Sequence, residues 1–256
     1  MNKDQLKEHL AEGKLTYGMM LSELYVPNIT RMIANCGYDF LLVDCEHGYF
    51  DMTQVANLIA VADGAGLSIL VRVTQPSRTM ITKYLDMGAK GILLSDVQNA
   101  REAKQLAQLC LYAPNGNRGI STFRAHTGYQ NGDTKEIMRK ANENMIVICQ
   151  IESPEAVVDI DNIVAIEGID GVLVGPNDLT QHMGIFEQFD HPAVEDALVK
   201  IRIAANAAGK WSGVITGNKK LIRRCKDIGM TCFSVGSELN ALVNGALMQM
   251  ETLKNL

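Results

Sequence analysis

Two acidic residues sit where apolar runs end. Glu152 follows MIVICQI (145–151), and Asp178 falls in the turn after DGVLVG (170–175). Side chains of an extended strand alternate between its faces, so Ile146, Ile148, Gln150 and Glu152 share one face, which turns from apolar to polar only at its carboxyl end. Two carboxylates delivered from the ends of neighbouring parallel strands can hold one hard divalent cation, with water and substrate oxygens in the remaining positions. The chain thus reads as a metal-dependent enzyme. Asp178 on its own would also serve as a helix N-cap.

Other chemistry-bearing residues fall at comparable places. Arg72 comes near the end of SILVRV (68–73), on the same face as Ser68 and Leu70. A charge there is costly to bury unless it meets an anion, so Arg72 is either part of an internal salt bridge or a clamp for a substrate carboxylate or enolate oxygen. DFLLVD (39–44) runs into CEHG, which gathers Asp44, Glu46 and His47 at one strand end and makes His47 a candidate base. The segment Gly175-Pro176-Asn177-Asp178 reads as a tight turn into a short helix, whose backbone N–H groups and dipole suit a small carboxylate. Asp86, near the end of a helical pattern, reads as a surface residue, and Arg118 as a solvated loop residue. Lys90 and Lys210 stand at strand starts and Lys83 in a helix, so a Schiff-base lysine on the reactive face is disfavoured. No G-x-S-x-G, HExxH or Walker motif appears.

The elements that must position these residues alternate regularly. Eight strand-like runs, at 15–21, 39–44, 68–73, 90–95, 145–151, 170–175, 211–216 and 231–236, are separated by helical patterns that often close on glycine. Strict alternation implies a parallel sheet, and a count of eight predicts a closed (β/α)8 TIM barrel. The 256 residues, 47% of them hydrophobic, suit one domain over 1–256. The Gly/Asn-rich stretch YAPNGNRGISTFRAHTGYQNGD (112–133) is expected over the barrel mouth, and MNKDQLKEHLAEGK (1–14) as an amphipathic helix. A net charge of −5 offers no basic stripe for nucleic acid or an anionic membrane. No apolar run approaches a membrane span, and the six cysteines, with no CxxC pair, read as reduced core residues. A soluble, cytoplasmic protein is expected.

The segments LLVDCEHGYFD, VRV, KYLDMGAKGILL, VQNAREA, YAPNGNRG, QIESPEAV and DGVLVGPNDLT together resemble the metal-dependent class II pyruvate aldolases of the HpcH/HpaI type. QIE at 150–152 followed by GPNDL at 175–179 is the most specific part. The resemblance implies retro-aldol cleavage of 4-hydroxy-2-oxo acids, such as 4-hydroxy-2-oxoheptanedioate or 2-keto-3-deoxy sugar acids, to pyruvate and an aldehyde through a metal-stabilised enolate. It implies Glu152 and Asp178 as ligands of Mg²⁺ or Mn²⁺, with Co²⁺ or Zn²⁺ as alternatives. Gln150, Asn177 and the amide of Asp178 would contact substrate, within the turn that includes Gly175 and Pro176. Arg72 would stabilise the transition state. His47 would be the general base, helped by Asp44 and made more basic by Asp86. A helix that follows a strand runs back toward the opposite face, so either that helix ends early or Asp86 serves a neighbouring subunit. Relatives form homo-oligomers, usually hexamers. Ser95-Asp96 stand where relatives often carry Pro-Met, and GISTFRAH replaces a more apolar loop, so the aldehyde half of the substrate is the open part of the assignment. Decarboxylation of oxaloacetate or lysis of an acyl-CoA thioester by the same enolate chemistry is the alternative activity, and a catalytically silent ligand-binding barrel the alternative class.

Overall fold

The computed structural model describes residues 5–256, so the helix expected at 1–14 is followed only from residue 5, residues 1–4 lying outside. Eight parallel strands close into a barrel in chain order: β1 (Thr16–Leu21), β2 (Phe40–Asp44), β3 (Ser68–Val73), β4 (Gly91–Leu94), β5 (Ile146–Ile151), β6 (Gly171–Val174), β7 (Trp211–Ile215) and β8 (Cys232–Ser237), which pairs back to β1. The helices are α1 (Leu6–Ala11), α2 (Ile29–Asn35), α3 (Met52–Ala65), α4 (Arg78–Asp86), α5 (Ala100–Cys110), α6 (Thr134–Asn144), α7 (Pro154–Val158), α8 (Ile160–Val164), α9 (Pro176–His182), α10 (Pro192–Ala207), α11 (Lys219–Asp227) and α12 (Glu238–Lys254). All eight expected strands are present.

Local chemistry explains why helices start just beyond the strand ends. The side chains of Asp51, Ser77, Asn99, Ser153 and Asn218 each accept a backbone N–H in the first turn of α3, α4, α5, α7 and α11. The strand faces sort as period-2 alternation requires. Phe40, Leu42, Leu70, Leu93, Ile146, Ile148, Leu173 and Trp211 fill the barrel interior, while Leu41, Val43, Val71, Val147, Cys149 and Val172 pack outward against the helices. Leu6 and Leu10 of α1 join the interior cluster, each only 1% exposed, so α1 closes the base of the barrel. Lys7 fixes that plug: its Nζ lies 3.0 Å from Asp170 Oδ1 and donates to the Met145 carbonyl.

Two features depart from the pattern. The stretch 112–133 does not cover the mouth. It packs at the opposite end, where a short 3₁₀ turn (Ala125–Thr127) approaches the end of α4 and where Arg118, His126, Lys90 and Met145 line a common cavity. Lys90 and Met145 immediately precede β4 and β5, so this cavity belongs to the base. The physical reason is chain direction: α5 runs antiparallel to the strands, and a segment that leaves its carboxyl end starts at the base. The second feature is α12, for which the sequence carried no expectation. Beyond Leu239 its residues are almost all exposed, Leu242, Val243, Leu247, Met248, Met250 and Leu253 among them.

The plug generates a stability prediction. Leu10→Ala empties a fully enclosed site and should destabilise by about 2–5 kcal/mol, lowering the melting temperature by roughly 5–15 °C in a calorimetric scan. An unchanged melting temperature would show that α1 does not contribute to the barrel core.

Candidate active site

The polar residues converge at the carboxyl-terminal end of β2 to β6. Asp44 and Arg72 are register partners across β2 and β3, which sets their side chains next to each other in the interior. Arg72 Nε donates to Asp44 Oδ1 at 2.9 Å and Nη2 to Oδ2 at 2.7 Å, while Nη1 reaches Glu46 Oε2 at 3.0 Å. Nη2 also points at Met20 Sδ, 3.8 Å away. Of the five N–H donors of a guanidinium, one on Nη1 has no partner among the described residues. Asp44 is 1% exposed. Burial alone would raise its carboxyl, but the guanidinium and the amides of Glu46 and His47 outweigh it, and the carboxyl titrates below its ordinary value. The internal salt bridge considered for Arg72 is therefore real, and it fixes the guanidinium at the mouth. Asp44 spends its oxygens on Arg72 and on the loop backbone, and His47 stands exposed on that loop.

On β5, Gln150 continues the interior face of Ile146 and Ile148, and Glu152 follows one residue past the strand end. Glu152 is 4% exposed. Its Oε1 accepts from Gln150 Nε2 at 2.5 Å and its Oε2 from the Asp96 backbone N–H at 2.9 Å. Asp96 delivers that N–H from a left-handed conformation, φ 48°, which Asp and Asn tolerate better than most residues. Burial, then the like charges of Asp178 and Glu46, push the Glu152 carboxyl up to about 7, against the pull of the Asp96 N–H and Arg72. Asp178 occupies the third position of α9. Gly175 is the N-cap residue, with no side-chain cap, Pro176 takes the first helical position and Asn177 the second, exposed. The capping role open to Asp178 from sequence is thus not the one it has; its carboxylate stands close enough to Glu152 to repel it.

Gly175 matters for space. A Cβ there would lie 2.1 Å from Glu152 Oε1 and 2.8 Å from Gln150 Nε2. Its φ of −96° is open to any residue, so the demand is steric alone.

Ser95, which the sequence offered only as a departure from the family pattern, completes the mouth together with His182 and Glu238, which sequence reasoning missed. Ser95 Oγ donates to Glu46 Oε1 at 2.8 Å, linking β4 to the Arg72 cluster. His182 Nδ1 lies 2.8 Å from the Glu152 carbonyl oxygen, a contact that raises the affinity of the ring for its proton. Glu238, 3% exposed at the start of α12, accepts the N–H groups of Ser22, Glu23 and Leu24 and so ties down the loop after β1. No periodicity announces these three. Only their position next to strand ends or at a helix start was available from sequence.

Asp86 is not brought to this mouth. It is the last residue of α4, at the base, where Arg118 Nη2 lies 2.8 Å from its Oδ1 and His126 is nearby. Arg118, expected as a solvated loop residue, is instead 4% exposed, with its guanidinium 4.5 Å over the Tyr112 ring.

Fold and mouth together define a (β/α)8 enzyme scaffold with its polar side chains at the carboxyl-terminal ends of the strands, where barrel enzymes carry their chemistry. Residues 18–245 match the family model of HpcH/HpaI aldolase/citrate lyase. The chain is 33% identical over 245 residues to a hydroxypyruvate/pyruvate aldolase of Pseudomonas aeruginosa, covering 94% of this chain and 89% of that protein. It is likewise 33% identical over 245 residues to a 4-hydroxy-2-oxo-heptane-1,7-dioate aldolase of Salmonella arizonae, covering 95% of this chain and 92% of the relative. A crystal structure of an HpcH/HpaI aldolase from Desulfitobacterium hafniense DCB-2 superposes with a TM-score of 0.92 at 32% identity, over 98% of this chain and 97% of that one. The chain belongs to the HpcH/HpaI aldolase/citrate lyase family and is a carbon–carbon lyase of the aldolase class.

Gly175→Ala tests the mouth directly. The barrel should fold, with circular dichroism unchanged, while turnover falls at least a hundredfold because Glu152 and Gln150 must move. Retained turnover would show that the observed placement of Glu152 is not required.

Proposed function

We propose that the protein cleaves 4-hydroxy-2-oxo acids by a retro-aldol reaction into pyruvate and an aldehyde, using a divalent cation held by Glu152 and Asp178. The observation that carries this reading is a charge imbalance. Glu152 is buried near enough to Asp178 and Glu46 to feel their charge, and the Arg72 guanidinium already faces Asp44 and Glu46. Two hard oxygen donors without a counter-charge fit a cation such as Mg²⁺ or Mn²⁺. Among the described residues no group of three or more His, Cys, Asp or Glu is arranged to hold a metal, so the protein would supply two carboxylates and leave other positions to water and substrate. When bound, such a cation polarises the 2-oxo group and lowers the barrier to enolate formation.

The chain's own residues would divide the remaining work. Arg72, locked by its bidentate pair, presents its unused Nη1–H as a fixed positive charge to the oxygen that gains charge as the C3–C4 bond breaks; one such donor commonly contributes 10²–10³ in rate, roughly. The free amide hydrogens at the start of α9, from Asn177 and Asp178, suit the substrate carboxylate. His47 takes the proton from the C4 hydroxyl. Asp44 acts through Arg72 and through the loop amides that place His47. Asp86, at the far end of its own barrel, would serve His47 only in a neighbouring copy. The exposed apolar α12 supports such an assembly, since a helix bearing this many exposed aliphatic side chains is covered in water by another surface. Among the described residues no helix is long and apolar enough to cross a membrane, and all six cysteines are unpaired, which supports a cytoplasmic enzyme.

Removal of metal with a chelator should abolish cleavage, and Mn²⁺ or Mg²⁺ should restore it; activity indifferent to chelator would refute the metal role. The Glu152 carboxyl adds a pH signature. Proton and cation compete for it, so Mn²⁺ affinity measured by calorimetry should fall by up to about tenfold per unit below pH 7 and level off above. In the metal-free protein the raised carboxyl contributes stability that is fully present below its ordinary value of 4.5 and is lost as pH rises through about 7. The melting temperature of that form should fall across this window. Light scattering should give a mass that is a multiple of the 28.0 kDa chain, sixfold for the hexamer. Leu247→Arg should lower that mass, and a monomeric wild type would remove the assembly.

A further inference from the structure

We infer that the acceptor half of the substrate is an uncharged, hydroxyl-bearing aldehyde, and that Asp96 sets this choice by repelling aldehydes that carry a carboxylate. The inference rests on the aldolase reading above and deepens it. The mouth is lined by groups that accept hydrogen bonds. Gln150, 1% exposed, turns its Nε2 to Glu152 and leaves its buried Oε1 without a partner among the described residues. That oxygen can be satisfied only by a donor, such as an O–H of substrate or water. Asp96 stands exposed at the end of β4 with its backbone N–H on Glu152 and one carboxylate oxygen on the Gln98 amide. Glu46, joined to Ser95 and Arg72, completes the acidic side.

The cations that act most on Glu152 and Asp96 are Arg72 and His182. Arg72 is bidentate on Asp44 and bridges Glu46, and the His182 ring is turned to the Glu152 carbonyl. Asp44, Glu46, Asp96, Glu152 and Asp178 therefore outnumber the positive groups even after a divalent cation binds. A second carboxylate on the aldehyde, as a seven-carbon dioate would bring, meets an excess of like charge in this rim. A hydroxylated aldehyde meets acceptors at each turn. In the addition direction the balance is simple: pyruvate C3 bonds to the aldehyde carbon, and the aldehyde oxygen takes up the proton that the pyruvate methyl group gives up.

The test compares D-glyceraldehyde with succinic semialdehyde as acceptors for pyruvate with Mn²⁺ present. Wild type should favour glyceraldehyde at least tenfold in kcat/KM. Asp96→Asn tolerates the same left-handed backbone and should narrow that ratio about tenfold by raising kcat/KM for succinic semialdehyde. Calorimetry supplies a reading independent of turnover: 2-oxoadipate should bind the Mn²⁺ form more weakly than uncharged-tail 2-oxohexanoate, and the gap should shrink in Asp96→Asn. A wild-type preference for succinic semialdehyde, or a ratio unmoved by Asp96→Asn, overturns the inference while exchange of pyruvate methyl protons in deuterated water still upholds the aldolase reading. Loss of that exchange in the wild type removes the aldolase reading, and the acceptor assignment with it.

Discussion

The burial of Glu152 under the repulsion of Asp178 constrains the rest of the mouth. Glu152 is withdrawn from water, faces Asp178 and Glu46, and in the bare protein holds its proton up to near neutrality. Such an arrangement opposes folding, because a desolvated carboxylate among other carboxylates costs free energy that packing elsewhere must offset. It persists because its geometry is determined from several sides: Gln150 and the Asp96 N–H each take one oxygen, and the space beside Oε1 exists only because residue 175 has no side chain. A site held under this tension is complementary to a cation and its ligand, which relieve it on binding.

The barrel separates the parts that stabilise from the parts that react. At the base, Leu6 and Leu10 seal the interior and Lys7 locks to Asp170. The layers above are mainly aliphatic and aromatic, with Ser68 and Ser234 among them, and the last layer is polar: Asp44, Arg72, Ser95, Gln150 and Glu152. Small residues pair with large ones across that interior. A Cβ on Gly171 would lie 2.2 Å from the Trp211 ring, and one on Gly18 would lie 2.1 Å from Phe40. Close packing of this kind keeps strand ends rigid, and rigid strand ends hold charged side chains to fractions of an ångström.

Much of this was legible in the residues themselves. The alternation of SILVRV and MIVICQI put Arg72 and Glu152 on the interior face, and the eight runs gave the closed barrel. Period-2 patterning works here because each strand has one face against its own barrel and the other against helices. What patterning cannot supply is contact between residues far apart in the chain. That Arg72 meets Asp44 follows from strand register, and the steric role of Gly175 from the depth of Glu152. The left-handed turn of Asp96 and the hold of Glu238 on the loop after β1 have no signature in composition. The stretch 112–133 misled for a related reason: glycine and asparagine mark a loop but not the end of the barrel it covers.

The position of Asp86 connects the base to the chemistry. Within one chain it belongs with Arg118, His126 and Tyr112, at the end of the barrel remote from Glu152. Family resemblance nonetheless gives it a part in the action of His47. Both statements hold together if the working unit contains more than one chain, with the base of one barrel meeting the mouth of the next. The shape of α12 points the same way. In a self-sufficient barrel the last helix lies along β8 and β1; here it touches them only near its start and then leads its leucines and methionines away from the barrel. The outer face it leaves holds a Tyr17–Phe233 stack at 5.8 Å, with Lys226 bonded to the Tyr17 hydroxyl. In the proposed assembly, apolar surface on a departing helix and a carboxylate at the far end of its own barrel have one explanation: neighbouring copies would complete both the core and the site.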